Sequence, residues 1–488
     1  KNYNYPKKHT SEKEYFRTFN FNCCQCHSYF FCSSTMLVRH IDKPNNFSRR
    51  HRVNLAMASF LLYTIRRKEK KMKQKCIHYF DENTGSPKIK RARRSVEEVL
   101  ECLGPAYFKR AYRMTYESFR KLVDKISPFM PVGDFSQAKV NGPISIDTRV
   151  AVSLRYFAGG SPLDIAPLYG IAVNEVLRSV WRVVDAVNNY PKFRIEYPSC
   201  HKEQMKIARK FREKSGADFQ CCAGAIDGIL IWTHKPMESC CIEAGCADGK
   251  FHCGRKGKYG LNCQAVCDVR GRFLDMSILY PGSTSDCLAF EGMSLYERLE
   301  NGLLHDSLCL FGDNAYLNAT YMATPYTSAT GVKDAYNFFH SQLRIRVECA
   351  FGMFTQRWGI LRCMIPKQVT LKRTVALVMC LAKLHNFCID ERDVGVSQIM
   401  ARDEANLELE GAVPLESYNS NSAEGQHSQQ PLPLQLIGAG NHFQDMPASV
   451  RRQRRRDLIR MDKNILPRER LLASIRDKQL ERPNPPKK

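Results

Sequence analysis

The sequence predicts an α/β protein in which a mixed sheet flanked by helices follows an all-α region, with a basic segment at each end. Three observations predict it. Runs of β type concentrate between Ile226 and Phe311 and alternate with helical stretches. Apolar residues at helical spacing fill the preceding segment from Ser95 to Asn189. Charge is partitioned: residues 1–94 hold 22 Lys/Arg against 6 Asp/Glu and residues 451–488 hold 14 against 5, while the segment between is neutral in a chain of net charge +25. At 488 residues, 43% of them hydrophobic, the chain can bury two or three cored units.

Residues 1–94 show little periodicity and read as a basic, largely disordered arm. A helical region, 95–190, begins at Ser95 with a short helix, a break at Gly104-Pro105 and a longer helix to Ile126. It continues through Ser145–Gly160. Beyond it, Ser161 is a capping residue with Pro162 in the first helical position, Gly170 supplies a turn, and an amphipathic helix starts near Val173. Helix, glycine turn and helix fit a helix-turn-helix whose second helix presents Asn174 and Arg178 to DNA; they fit an ordinary packed helix pair equally well.

After Pro191 the chain changes character. Ile226–Trp232, Asn262–Val269 and Arg272–Leu279 are β-type runs, the last two joined by a hairpin signal at Arg270-Gly271. A short run, Leu308–Phe311, ends at Gly312-Asp313, and helical stretches cover Ser285–Leu299 and Asn337–Phe354. Three strands in a meander, then a helix, a strand and further helices, is the order of a ribonuclease H-like core, here assigned to 215–392. Residues 395–450, with Ser417–Gln435 rich in Ser, Asn, Gln and Pro, have linker composition, and 451–488 form a basic tail.

A neutral body between basic ends gains affinity for a polyanion through phosphate contacts, so nucleic acid is the expected partner. Arg66–Lys75, Lys88–Arg94 and Arg451–Arg456 also suit nuclear import, which makes the nucleus the expected compartment. The 21 cysteines are scattered through apolar contexts, consistent with reduced thiols. Cys23 and Cys26, with Cys32 and His40, have zinc-knuckle spacing at one end only, an incomplete ligand pattern. The longest apolar run, Leu55–Ile65, is too short to span a bilayer, and neither a secretory signal nor a membrane segment is expected.

Phosphoryl transfer through divalent cations calls for several carboxylates on strand ends and a facing helix, because hard oxygen ligands suit Mg²⁺. Asp227 lies in the first β run, Asp313 closes the Leu308–Phe311 run, and Glu348 lies in the helical segment Arg344–Phe354. Each also has a plain structural reading: a turn at Asp227-Gly228, a strand terminus or helix cap at Asp313-Asn314, and a pair between Glu348 and Arg344 one turn back.

The segments AGAIDGILIW, Arg255–Phe290, LFGDNAYL, Tyr336–Leu361 and LHNFCI, in this order, resemble the DDE-type transposases of the PIF/Harbinger superfamily. The resemblance runs from about Ser95 to Ile389. It implies a ribonuclease H-like nuclease behind a helix-turn-helix-containing region, Mg²⁺ or Mn²⁺ as cofactor, and an acidic triad at Asp227, Asp313 and Glu348. Asp286 matches a further acidic position, either a fourth metal ligand or a helix cap. Lys256 and Lys258, flanking Gly257, are candidate phosphate contacts or an exposed hairpin lip. Cys241–Gly254 is longer than the usual link at that point. The family further implies DNA cleavage with strand transfer of a mobile element, a separate Myb-like DNA-binding partner, and a homo-oligomer in the active form. A domesticated nuclease without mobility and a non-catalytic DNA-binding protein are the alternatives.

Overall fold

The computed structural model describes residues 77–81, 86–130, 141–391 and 466–483. The Cys23/Cys26/Cys32/His40 cluster, the 395–450 linker and the basic clusters 66–75 and 451–456 lie outside the described residues.

Of the arm expected to be largely disordered, residues 77–81 and 86–94 are described. Strand β1 (Ile77–Asp81) pairs antiparallel with β2 (Ser86–Lys90), Ile77 opposite Lys90. The chain then packs on the helical region. Arg93 donates to the carbonyls of Asn141 and Gly170, and the Arg91 amide to Asn141 Oδ1. The Asn141 side chain and two backbone carbonyls thus anchor the two arginines.

The helices begin where side-chain caps allow. Ser95, Thr115 and Ser145 each accept an amide hydrogen bond from the third residue of the helix they precede, capping α1 (Val96–Leu103), α3 (Tyr116–Ile126) and α4 (Ile146–Phe157). Gly104, at φ +82°, ends α1, and Pro105 opens α2 (Pro105–Tyr112). Ser161 caps α5 (Pro162–Tyr169), which stops at Gly170 in the left-handed region, and α6 (Val173–Asn189) follows. Gly170 must be glycine twice over. Its φ is +60°, and a Cβ there would lie 1.9 Å from the Ala92 carbonyl oxygen. A further helix, α7 (His201–Arg212), leads into the sheet.

The sheet runs β6-β5-β3-β7-β8 in space. Strands β3 (Cys222–Trp232), β5 (Lys258–Cys267) and β6 (Phe273–Pro281) are antiparallel neighbours, and β7 (Cys309–Phe311) and β8 (Met322–Ala323) add in parallel beyond β3. A two-residue strand, β4 (His252–Cys253), pairs with the start of β5. The Arg270-Gly271 hairpin is present: Gly271 has φ +80°, and Asp268 accepts from the amides of Arg270 and Arg272. Helices α8 (Glu238–Ala244), α9 (Asp286–Glu291), α10 (Ser294–Glu300), α11 (Val332–Arg357) and α12 (Leu371–Asp390) complete the α/β body. It is a mixed sheet flanked by helices, as the element order predicts.

Period-two alternation sends side chains to two cores. Cys263, Ala265, Cys267, Phe273 and Phe311 face the larger core, shared with α11, α12 and the helical region, whereas Val266, Leu274 and Leu310 face a smaller one with α7, α9 and α10. The LHNFC motif is structural. Buried His385 lies 3.0 Å from the Gly271 carbonyl, and Asn386 exchanges two 2.8 Å hydrogen bonds with the Phe273 backbone, so α12 grips the β5–β6 hairpin. No helix among the described residues is long and apolar enough to cross a membrane.

The basic C-terminal tail, expected to be disordered, contains a packed helix, α13 (Pro467–Asp477). Its Leu471, Leu472 and Ile475 are buried in the larger core, and Arg470 and Lys478 donate to the carbonyls of Asp306 and Ala217. Positive charge in the flanking sequence masks this apolar stripe at i, i+1 and i+4. Ile475→Ala should destabilise the fold by about 2–5 kcal/mol, measured by denaturant unfolding, the usual cost of emptying a core position; an unchanged midpoint would mean that α13 contributes no packing.

Candidate active site

Strand pairing builds the site. Ala225 on β3 lies opposite Phe311 on β7, so the two parallel strands deliver Asp227 and Asp313 side by side, each two residues further on. Antiparallel pairing sets Gly228 opposite Gln264 on β5, and α9 starts with Asp286 after its capping residue Ser285. Glycine at 228 is what lets Asp286 in. A Cβ there would lie 2.2 Å from Asp286 Oδ1 and 2.5 Å from Gln264 Nε2.

Three of the four predicted acids therefore gather. Burial, with Asp313 and Asp286 adding like-charge repulsion, pushes Asp227 up to about 7, against the Gly228 amide and Arg344, which favour the charged form. Asp313 is raised as well, first by burial and then by Asp286, while the Ala315 amide, Arg344 and Arg255 oppose the shift. Tyr316, buried beside all three, is pushed far up by burial, and its hydroxyl donates to Gln264 Oε1 at 2.6 Å.

Asp286 is no cap, since Ser285 takes that role by accepting from the Leu288 amide. Its Oδ1 accepts from Asn262 Nδ2 at 3.1 Å and Gln264 Nε2 at 2.9 Å, and its Oδ2 lies 3.7 Å from Arg255 Nη2. Glu348, by contrast, is held apart. It sits on α11 with its side chain 47% exposed, paired at 2.6 Å with Arg344, whose other nitrogen lies 3.6 Å from Asp227 Oδ2. Arg344 thus stands as a positive charge between Asp227 and Glu348.

Lys256 is exposed in the β4–β5 turn, and Lys258 opens β5 with its ammonium 3.2 Å from the centre of the Trp232 ring. On α6, Asn174 and Arg178 are exposed in the first two turns, but Arg178 is paired with Glu175 at 2.6 Å. Neither pair approaches the acidic cluster through a hydrogen bond or ion pair among the described residues.

Sequence reasoning missed Arg255, Asn262, Gln264 and Tyr316, and it read Gly228 and Arg344 only as a turn residue and the partner of Glu348. A signal for the amides was there: Asn262 and Gln264 are polar residues at period two inside an otherwise apolar strand, and hence on one face. Arg255 carried none, because an arginine in a basic sequence stands out only once its partner is known.

The donor set fits a divalent cation in its chemistry: crowded carboxylate oxygens, resisting ionisation, with a guanidinium supplying the counter-charge. As the side chains lie, no three Asp, Glu, His or Cys groups among the described residues converge on one point.

Residues 226–386 match the family model of the DDE superfamily endonuclease. Over 253 residues, 51% of this chain and 68% of the relative, the chain is 26% identical to the human protein called putative nuclease HARBI1. It is 27% identical over 307 residues to the Arabidopsis thaliana protein ALP1-like, covering 59% of this chain and 72% of that one. To the Arabidopsis protein called antagonist of like heterochromatin protein 1 it is 26% identical over 309 residues, 60% and 71% of the two chains. No solved structure matches the chain.

Two outcomes test the geometry. Gly228→Ala should expel Asp286 from its amides and leave Asp227 with one fewer neighbouring carboxylate, visible as a lowered Asp227 protonation midpoint by carboxyl-resolved NMR; an unchanged midpoint would separate Asp286 from the cluster. Because Asp227 is raised from its ordinary 3.8 to about 7, the fold holds a proton there that the unfolded chain has lost, so stability falls as pH rises from about 4 to 7. In EDTA, Asp227→Asn should therefore melt above the parent at pH 8 and equal to it at pH 4, and equal melting at both would contradict the assignment.

Proposed function

The chain belongs to the Harbinger-derived DDE family, and from that membership we propose that it is a divalent-metal-dependent DNA endonuclease of the transposase type, with a ribonuclease H-like catalytic core. The observation that carries the reading is the placement of Asp227, Asp313 and Asp286 on adjacent elements, near enough for their charges to interact, with Arg344 as counter-charge. A structural role rarely requires three carboxylates to crowd together at a cost in ionisation, whereas metal-assisted phosphoryl transfer does.

Asp227 and Asp313 are the principal ligands for Mg²⁺ or Mn²⁺ in this proposal, Glu348 the third member by its place in the family motif, and Asp286 a fourth. When bound, two such cations supply activation of the attacking water and stabilisation of the leaving 3′-oxygen. The chain's own groups do the rest. β3 and β7 hold Asp227 and Asp313 on a rigid sheet, Asn262 and Gln264 fix one Asp286 oxygen, and Tyr316 fixes the Gln264 amide. Arg344 holds Glu348 and screens Asp227.

Lys256 and Lys258 are the phosphate contacts in this reading, next in sequence to Arg255, which faces Asp286 at 3.7 Å. Helices α5 and α6 form the helix-turn-helix, its turn closed by Gly170, with Asn174 and Arg178 meeting DNA. Strand transfer, a Myb-like partner, assembly of several copies on DNA and nuclear residence complete the reading on family grounds. A second reading, a DNA-binding protein that does not cut, draws support from Arg344, which occupies the place between Asp227 and Glu348.

Nicking of supercoiled DNA, and cleavage of DNA carrying the element ends, should require Mg²⁺ or Mn²⁺. Asp227→Asn should lower the rate at least about 100-fold, the scale on which loss of one electrostatic element of an active site acts. Equal cutting by both proteins would overturn the catalytic assignment; DNA binding by both with no cutting under any divalent ion would favour the second reading.

A further inference from the structure

Two cysteine sulfurs meet where β3 and β7 begin. Cys221 stands one residue before β3 and Cys309 opens β7. The Cys309 amide donates to the Cys221 carbonyl at 2.8 Å, and Cys309 Sγ donates to Cys221 Sγ at 3.7 Å. The two residues are 88 positions apart in sequence, so it is the strand pairing that brings them together. Parallel pairing sets Cys309 opposite Cys222, which makes Cys221 its diagonal neighbour. Cys222 itself is engaged elsewhere, its Sγ donating to the Gly224 carbonyl at 3.7 Å.

The two thiols are not equivalent. Cys309 is fully buried, whereas Cys221 is half-buried. The hydrogen bond from Cys309 holds the Cys221 thiol below its ordinary range, burial opposes that shift, and the Arg470 guanidinium favours the anion. Arg470 is itself fixed, since it donates to the Asp306 carbonyl at 3.0 Å from α13. Burial and the Cys221 sulfur push Cys309 well up, so Cys309 keeps its proton. A thiol pair so divided holds a nucleophile and its partner, because the thiolate is the reactive form of cysteine. Neighbouring strands lie about 4.8 Å apart, inside the Cα separation of about 4.4–6.8 Å that a disulfide spans.

We infer that Cys221 and Cys309 are a hydroperoxide-reactive dithiol whose disulfide ties β3 to β7. The Cys221 thiolate attacks one oxygen of the hydroperoxide: an S–O bond forms, the O–O bond breaks, sulfur loses two electrons, and the departing oxygen takes up a proton. The Cys309 sulfur then attacks the Cys221 sulfenic sulfur. The S–S bond forms, the S–O bond breaks, and hydroxide leaves with the Cys309 proton as water. With hydrogen peroxide, two thiols and one peroxide become one disulfide and two waters. Cys221 precedes Asp227 by six residues and Cys309 precedes Asp313 by four, so the link fastens the two strands that carry the carboxylates. The dithiol does not depend on DNA cleavage.

The test uses the full chain, reduced and then freed of reductant. After treatment with hydrogen peroxide, the remaining thiols are blocked with N-ethylmaleimide and the peptides mapped by mass spectrometry. A cross-link between Cys221 and Cys309 should form and be reversed by dithiothreitol. The oxidised parent should melt above the reduced one, because closing so long a loop restricts the unfolded chain. In Cys309→Ala the reaction should stop at the sulfenic acid, seen as a dimedone adduct on Cys221, and Cys221→Ser should show neither the cross-link nor the rise in melting temperature. A single cooperative melt of each reduced variant verifies that it folds; Cys221→Ser, at the half-buried position, carries the test alone if Cys309→Ala does not. A parent that forms no link between Cys221 and Cys309, or a Cys221→Ser protein in which Cys309 links to Cys222 instead, would overturn the site. Absence of the dimedone adduct from a folded Cys309→Ala protein would overturn the assignment of Cys221 as the attacking sulfur.

Discussion

Two parallel strands place two aspartates side by side, and the Arg344 guanidinium from the facing helix acts on both. With β3 against β7 the backbone gives Asp227 and Asp313 no freedom to separate, and burial removes the water that would screen them. Among the described residues, Arg344 is the basic group that forms ion pairs with both Asp227 and Glu348. Like-charged carboxylates in partial burial raise one another's affinity for a positive charge, whether proton, guanidinium or metal ion.

The remainder of the α/β body keeps that placement rigid. Buried His340 on α11 stacks on Phe311 at 4.7 Å and meets the Ala323 carbonyl at 3.0 Å, tying β7 and β8 to the helix that carries Arg344 and Glu348. Burial holds His340 down to about 4, so it is a neutral packing group at physiological pH and not a proton carrier. From the other end, α12 grips the β5–β6 hairpin through His385 and Asn386, and β5 carries the amides that orient Asp286. Gly228 makes room where strand, strand and helix start converge.

Much of this was legible in the sequence where local rules decide. The β5–β6 hairpin follows from Arg270-Gly271, the helix starts from Ser95, Ser145 and Ser161, and the break before α2 from Gly104-Pro105. Asp227 and Asp313 were visible as acids at strand positions. What stayed hidden depends on long-range placement. Arg344 reads as the i,i+4 partner of Glu348, which it is, but its contact with Asp227 exists only once β3 lies under α11. The two-residue β8 is too short to leave a pattern, and α13 is concealed in a basic tail whose apolar stripe acquires meaning only against the larger core. The exposed, Arg344-bound Glu348 shows the same limit: spacing gives the residue type and the helix, not the rotamer.

The central claim is that the charge held by Arg344 belongs to a cation. Anomalous diffraction from crystals of the full chain soaked in Mn²⁺ tests it most directly. An anomalous peak between Asp227 and Asp313, with the Arg344 guanidinium withdrawn from Asp227, is expected; an ordered cluster with no Mn²⁺ peak and Arg344 still in place would contradict the claim.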